Sequence, residues 1–70
     1  MIVDKGAMQN YHSVYVNTDD ISGASEVMTE KAKTEKWRHG SEAYDVETGT
    51  VYLWDAENEN WVAQNATEGA

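Results

Sequence analysis

The strand predicted over 50–55 constrains the fold most, because it carries apolar side chains on both of its faces. Successive side chains of a strand point to opposite sides, so Tyr52 and Trp54 share one face and Val51 and Leu53 share the other. Strands of this kind are typical of sheets that are covered on both sides. The chain has 70 residues and no cysteine for a disulfide, so we expect another molecule to cover one of the two faces.

Turn signals on either side of this strand predict two neighbouring strands. Gly49 permits a tight turn before it. The polar run 56–60 supplies a second turn after it, with Asn58 and Asn60 as candidates for left-handed backbone geometry. The pattern predicts a three-stranded antiparallel meander within 40–64, with its strands at 42–47, 50–55 and 60–64.

The segment 10–17 predicts a further strand, because β-branched and aromatic residues recur there at every second position. The segment 1–9 is expected to form an N-terminal arm or a first strand that needs a neighbour, and 65–70 a frayed tail. The strand at 10–17 has two different faces, with Tyr11, Ser13 and Tyr15 on one and His12, Val14 and Val16 on the other.

The segment 18–39 connects these strands and is predicted to be a helix or a long loop. Residues 18–25 are rich in turn formers and N-cap candidates. Residues 24–37 are rich in helix-favouring Ala, Glu, Met and Lys, and Gly40 supplies a stop. We therefore expect one small domain of the mainly β class, with a small α+β arrangement as the variant: a three-stranded meander, an N-terminal strand and one short helix.

The chain is strongly acidic, with 13 Asp and Glu against 5 Lys and Arg and a formal net charge of −8. Nucleic acids and anionic membrane surfaces attract basic proteins, so we expect neither as a direct partner. The basic residues are concentrated in one local island, which forms either a solvated helix face or a contact for an acidic partner. The island consists of Lys31, Lys33, Lys36 and Arg38.

The sequence predicts no enzymatic site. It contains no nucleophile motif and no glycine-rich phosphate loop, and His12 and His39 lack further metal ligands at suitable spacing. Asp55, Glu57 and Glu59 imitate the start of a calcium loop, but the position that requires glycine is asparagine. We therefore expect neither catalysis nor a bound metal or other cofactor.

The start of the chain shows no apolar run of signal-peptide length. No stretch approaches the roughly 20 apolar residues of a membrane-spanning helix. We therefore expect synthesis in the cytoplasm and no membrane partner.

Aromatic side chains are the strongest candidates for a binding surface. They can form the core of a small fold, anchor a protein interface or, in a flat array, stack on sugar rings. As protein anchors we select Tyr52, Trp54 and Trp61, with the basic island as a polar contact. The full set consists of Trp37, Tyr44, Tyr52, Trp54 and Trp61.

The segment 40–55, followed by Asn60 and Trp61, resembles a hairpin module of small structural and accessory proteins of tailed bacteriophages. The shared pattern is a Gly-Ser pair, an Ala-Tyr strand, a Thr-Gly turn, a Val-Tyr-x-Trp-Asp strand and a returning Trp. The second turn, 56–60, is longer than the glycine-containing turn usual there, and residues 1–39 lie outside the resemblance. The resemblance implies a virion or assembly protein of a phage, made in the host cytoplasm.

The function expected from the sequence is therefore that of a non-enzymatic structural or accessory protein of a phage virion. Such a protein would dock on capsid, connector or fibre components, or on further copies of itself, through an apolar sheet face and the N-terminal arm. Two alternatives stay open: a carbohydrate-binding module that uses exposed Trp and Tyr, and an acidic inhibitor that mimics nucleic acid.

Overall fold

A five-stranded sheet organises the computed structural model, which describes residues 2–22 and 27–64. The strands follow one another across the sheet in chain order. Neighbouring strands are antiparallel, except that the second and third are parallel. The predicted mainly β fold with a small helical part is confirmed. The elements are β1 (Ile2–Met8), β2 (Tyr11–Val16), α1 (Thr18–Ile21), α2 (Val27–Thr34), β3 (Glu42–Asp45), β4 (Thr50–Asp55) and β5 (Asn60–Ala63).

The first hairpin joins β1 to β2 through a tight turn at Gln9 and Asn10. Both residues have a positive φ, 53° and 68°, as in the type I′ turns whose twist suits a two-residue hairpin. The side-chain amide of Asn10 also donates to the carbonyl oxygens of Glu35, at 2.9 Å, and Lys36. The segment predicted as an arm or a first strand is therefore strand β1, and its turn is attached to the end of α2.

Two helices carry the chain from β2 to β3. Helix α1 is a single turn within 18–25, a segment that the sequence marks as rich in turn formers and N-cap candidates. At its start, the Asp20 carboxylate accepts the N–H of Asn17 at 2.9 Å. The hydroxyl of Thr18 donates to the carboxylate of Asp45, 2.7 Å away, so α1 is tied directly to the end of β3.

Helix α2 lies within the predicted helix 24–37, whose first residues fall outside the described part of the chain. It ends at Thr34, earlier than predicted. Lys36 takes the left-handed conformation, with a φ of 56°, and the N–H of Trp37 donates to the carbonyl of Ala32 at 2.9 Å. This hydrogen bond is the one that closes a helix in the Schellman motif, so the helix stops without help from a glycine.

The predicted meander β3–β4–β5 is confirmed. Its two loops, β3–β4 and β4–β5, are built in the same way. Asp45 and Asp55 each end a strand, and each carboxylate accepts the backbone N–H two residues later, at 2.9 and 3.1 Å. Each loop then has a positive φ just before the next strand, 76° at Gly49 and 56° at Glu59. The expectation that an asparagine takes the left-handed position of the second loop is wrong.

The core lies between α2 and one face of the sheet. Alternate side chains of a strand share one face, and the apolar ones that β2, β3 and β4 direct toward the helix are Val14, Val16, Ala43 and Trp54. The buried hydroxyl of Ser41 accepts the N–H of His12 at 3.0 Å and donates to the carbonyl of Arg38 at 2.8 Å. The core consists of Val14, Val16, Ile21, Met28, Ala32, Trp37, Ala43 and Trp54.

Candidate protein-docking face

Within the described chain, the helices bury their apolar side chains against one face of the sheet and leave the opposite face exposed. Because Val14 and Val16 fill the core, alternation turns the other side chains of β2 to this exposed side. The strand register extends the same side across the sheet, and Lys5, which the register leaves unpaired at a bulge, is on this side because its ammonium group lies over the Tyr15 ring. We call this surface the open face; it consists of Val3, Lys5, Met8, Tyr11, Ser13, Tyr15, Glu42, Tyr44, Val51, Leu53 and Val62.

Tyrosines dominate the open face. Tyr11, Tyr15 and Tyr44 expose 39 %, 38 % and 38 % of their surface. Tyr15 and Tyr44 meet edge to face across β2 and β3, with ring centroids 6.0 Å apart and ring planes at 71°. The ammonium group of Lys5 lies 4.6 Å from the centroid of the Tyr15 ring. Exposed apolar and aromatic side chains in one patch mark interaction surfaces, and tyrosine is enriched at protein interfaces.

A depression of about 270 Å³ lies in the middle of the open face. Its walls include Lys5, Tyr15, Glu42 and Tyr44, and Ser13, the smallest side chain among its lining residues, leaves the space between them. Pockets for drug-sized ligands usually measure about 300–1,000 Å³ and enclose most of the ligand. This depression lies open on the surface of the sheet, so it can receive a side chain of a docked protein.

The open face carries balanced charges although the chain as a whole has a net charge of −8. Its charged residues are Lys5 and Glu42, and neither has an ion-pair partner among residues 2–22 and 27–64. An exposed surface of this kind can be brought against another surface without a large electrostatic penalty. The net negative charge of the molecule resides elsewhere.

Several of the acidic groups elsewhere serve the fold itself. The backbone N–H of Asn17 holds the pKa of Asp20 below its usual value. Hydrogen bonds from the side chain and backbone of Asn58 similarly lower the pKa of Asp55. These carboxylates cap a helix and a loop, so their charge is directed at the protein's own N–H groups.

The predicted aromatic anchors Tyr52, Trp54 and Trp61 lie on the face that α2 covers, opposite the open face. Trp54 exposes only 3 % of its surface because it fills the core, so it offers a partner no contact area. Tyr52 and Trp61 are half-buried and pack against the same core. Trp61 has its ring centroid 5.2 Å from that of Trp54 and 6.0 Å from that of Trp37. Alternation groups Tyr52 with Trp54 correctly, but it does not indicate which face the helix covers.

The basic island lies on and after α2, away from the open face, and has partners within the chain. Lys31 and Lys33 pair with acidic residues of the same helical segment at 2.9 and 3.8 Å. Arg38 donates to the side-chain oxygen of Gln9 at 3.1 Å, and Lys36 forms the turn that closes the helix. These contacts fit a solvated helix face better than a dock for an acidic partner.

His12 lies on the helix side and is held by three neighbours. Its ring stacks on Trp37, Nδ1 lies 2.8 Å from a carboxylate oxygen of Asp4, and Nε2 lies 3.2 Å from the side-chain oxygen of Asn10. Burial alone would raise the pKa of Asp4, but hydrogen bonds from Gly6 and His12 outweigh it and lower that pKa. In the ranges that the structure describes, no three His, Cys, Asp or Glu side chains are arranged to hold a metal ion.

Sequence reasoning selected one residue of the open face, Tyr44, as an aromatic candidate, and it placed Val51 and Leu53 together on one side of β4. The pattern of 10–17 already put Tyr11, Ser13 and Tyr15 on one side and valines on the other. The side with the two valines, which it shares with His12, is the one that a core prefers, and this signal could have identified the open face. Lys5 and Glu42 carry no such signal, because only the strand register brings them to either side of Ser13.

Comparisons of this chain with protein-family models, with curated proteins and with solved structures found no match. No helix in the described parts of the chain has the length and apolar character needed to cross a membrane. The function is therefore inferred from the geometry of the open face and from the sequence pattern.

Proposed function

We propose that this protein is a non-enzymatic docking module that binds another protein through the open face. The observation that carries the proposal is the exposure of Tyr11, Tyr15 and Tyr44 on one side of a sheet whose other side is filled by the protein's own helix. Tyrosine offers a large rigid contact area at a small entropic cost. A partner that covers this side would give the sheet its second packed layer.

A protein partner fits the open face better than a sugar. A platform for pyranose rings needs flat, accessible aromatic faces, but Tyr15 and Tyr44 stand at 71° to each other and Lys5 lies over the Tyr15 ring. Mimicry of nucleic acid needs a dense negative surface, and the open face has balanced charges. The arrangement of aromatic, aliphatic and single charged groups resembles the centre of a protein interface.

The setting that we propose is a tailed-bacteriophage particle, with a capsid, connector or fibre component as the partner. The resemblance of the segment 40–55 and of Trp61 to hairpin modules of such particles supports this setting. In the structure the segment forms β3 and β4, whose residues Glu42, Tyr44 and Val51 contribute to the open face. The part of the chain that carries the resemblance thus also supplies part of the docking surface.

Site-specific photo-crosslinking tests this function. A photoreactive phenylalanine analogue replaces Tyr44 on the open face in a chain expressed during particle assembly. The matched control places the same analogue at Val27 on α2, which is similarly exposed at 40 %. We expect crosslinks from position 44 to one particle protein, retained in purified particles, and few from position 27.

Two results would contradict the proposal. The first is the absence of the protein from purified particles, which would contradict the proposed role in a phage particle. The second is crosslinking from position 27 that equals or exceeds crosslinking from position 44, which would move the docking surface to the helix side.

A further inference from the structure

We infer that the open face pairs with the open face of a second copy, so that two sheets stack into a two-fold dimer. The inference rests on the proposed function, because both assign docking to the same surface: the second copy covers the open face of the free protein, and the particle component replaces it on assembly. Two sheets that pack face to face with their strands nearly aligned form a common arrangement in proteins. Here each copy already has its own helix layer, so the dimer would have four layers, helix–sheet–sheet–helix.

The strand order supplies the first argument, since it places the two charged residues of the open face on strands that flank β2 on either side. Ser13 pairs with Gly6 on the β1 side and with Glu42 on the β3 side. Lys5 is the bulge residue before Gly6 and has no partner on β2, but it lines the same depression as Ser13 and Glu42. The backbones of Lys5 and Glu42 therefore flank Ser13 at nearly the same level along the strands, while the Lys5 ammonium leans toward the Tyr15 ring. A two-fold axis that runs along β2 above Ser13 exchanges the two sides, and it brings Lys5 of each copy opposite Glu42 of the other.

The charge balance supplies the second argument. Lys5 and Glu42 lack ion-pair partners among the described residues, and a two-fold contact would complement both of them twice. Self-complementarity of this kind is what an isologous interface requires. The acidic residues Glu30, Glu35 and Glu59 lie on the helix side, where they contact the basic island, so they stay remote from the partner.

The small area of the open face indicates that the dimer is weak. Strands lie about 4.8 Å apart, so five of them make a face roughly 20 Å wide, and strands of this length are roughly 20 Å long. The flat footprint is thus roughly 400 Å² per copy, below the roughly 800 Å² per partner of a standard interface. We therefore expect a weak, reversible dimer and not a permanent one.

Charge exchange between the copies tests the inference by sedimentation velocity over a concentration series. K5E places like charges opposite Glu42, and E42K places like charges opposite Lys5, so each variant alone should dimerise about tenfold or more weakly. An equimolar mixture of the two variants should recover pairing as a heterodimer, and the double variant K5E/E42K should recover it as a homodimer. K36E makes the same charge change on the helix side and should dimerise like the wild type.

Three outcomes overturn the inference. They are a wild-type protein that stays monomeric up to about 1 mM, single variants that pair as well as the wild type, and a mixture that pairs no better than its components. A monomeric wild type that still crosslinks to a particle protein from position 44 would remove the self-pairing and leave the proposed docking function intact. A monomer without such crosslinks would remove both.

Discussion

The imidazole of His12 stacks on the indole of Trp37, with ring centroids 4.0 Å apart and ring planes only 8° apart. The contact joins β2 to the segment that follows α2. The indole N–H of Trp37 also donates to the carboxylate of Glu35 at 2.8 Å. Trp37 is thus fixed on its face and at its polar edge, and it closes the core where the helix ends.

The first prediction compares two tryptophans that differ in hydrogen bonding. The indole nitrogen of Trp61 is buried without a hydrogen-bond partner in the described chain, whereas that of Trp37 is bonded. Trp37→Phe should lower the free energy of unfolding by about 1–3 kcal/mol, since it loses a hydrogen bond and core volume. Trp61→Phe should cost less than about 1 kcal/mol, because it removes an unsatisfied donor. Urea unfolding followed by circular dichroism measures both. Equal losses of unfolding free energy in the two variants would contradict the difference in hydrogen bonding between Trp37 and Trp61.

The second prediction concerns the repeated loop design. Gly49→Ala should cost about 1 kcal/mol, because alanine in a left-handed conformation is strained; the added Cβ itself has room, with the Tyr44 hydroxyl 3.8 Å away. Glu59→Gly should instead raise the free energy of unfolding by about 0.5–1 kcal/mol, because it relieves the same strain. The contact of Glu59 with Lys33, at 4.0 Å, is an exposed ion pair whose loss costs little.

Thermal unfolding measures these loop effects, since about 1 kcal/mol shifts the midpoint by roughly 4–8 °C in a domain of this size. Glu57→Gly is the control for the second loop. Its φ is not positive, so glycine there adds only flexibility to the unfolded chain and should destabilise. Stabilisation by Glu57→Gly, or destabilisation by Glu59→Gly, would contradict the strain argument.

The third prediction concerns acid stability and rests on Asp45, which is fully buried. Burial alone would raise its pKa, but hydrogen bonds from Thr18 and Glu47 outweigh it, and the pKa falls below the usual 3.8. A carboxyl with a lower pKa in the folded state stabilises the fold above pH 3.8, and this contribution disappears as the pH falls through the folded value.

Asp45→Asn should therefore lower the free energy of unfolding by about 1–3 kcal/mol at pH 7. It should also flatten the decline of stability between about pH 5 and pH 2, since the titrating group is gone. Glu57→Gln, which removes one carboxylate at an exposed position of the neighbouring hairpin, serves as the control for the loss of a negative charge. An Asp45→Asn profile parallel to that of the wild type would show that Asp45 does not titrate in this range.

The sequence was sufficient for the strands but not for the site. Period-two alternation and turn residues predicted β2 and the meander, because both signals are local. Helix α1 and the end of α2 were not predicted. Helix α2 ends where Lys36 takes a left-handed conformation, which its residue type does not indicate. The sequence did not identify the open face because β4 is apolar on both sides. Whether Trp54 or Leu53 is exposed therefore depends on the side on which α2 packs. That packing is tertiary information.

The fourth prediction separates docking from folding. Tyr44→Ser removes an exposed ring from the open face and should change the free energy of unfolding by less than about 1 kcal/mol, as surface substitutions usually do. It should nevertheless weaken binding to the partner about tenfold or more, because buried tyrosines dominate interface energies. Val27→Ser on α2 is the control for exposure. An unchanged partner affinity for Tyr44→Ser would contradict the assignment of this face.

Hydroxyl-radical footprinting tests most directly whether another molecule covers the open face. The modification rates of Tyr11, Tyr15 and Tyr44 are compared between the dilute purified protein and the assembly recovered from cells, with Val27 as the reference for the helix side. We expect the three tyrosines to be protected severalfold in the assembly while Val27 reacts at an unchanged rate. Equal tyrosine rates in both states, or protection confined to the helix side, would contradict the central claim.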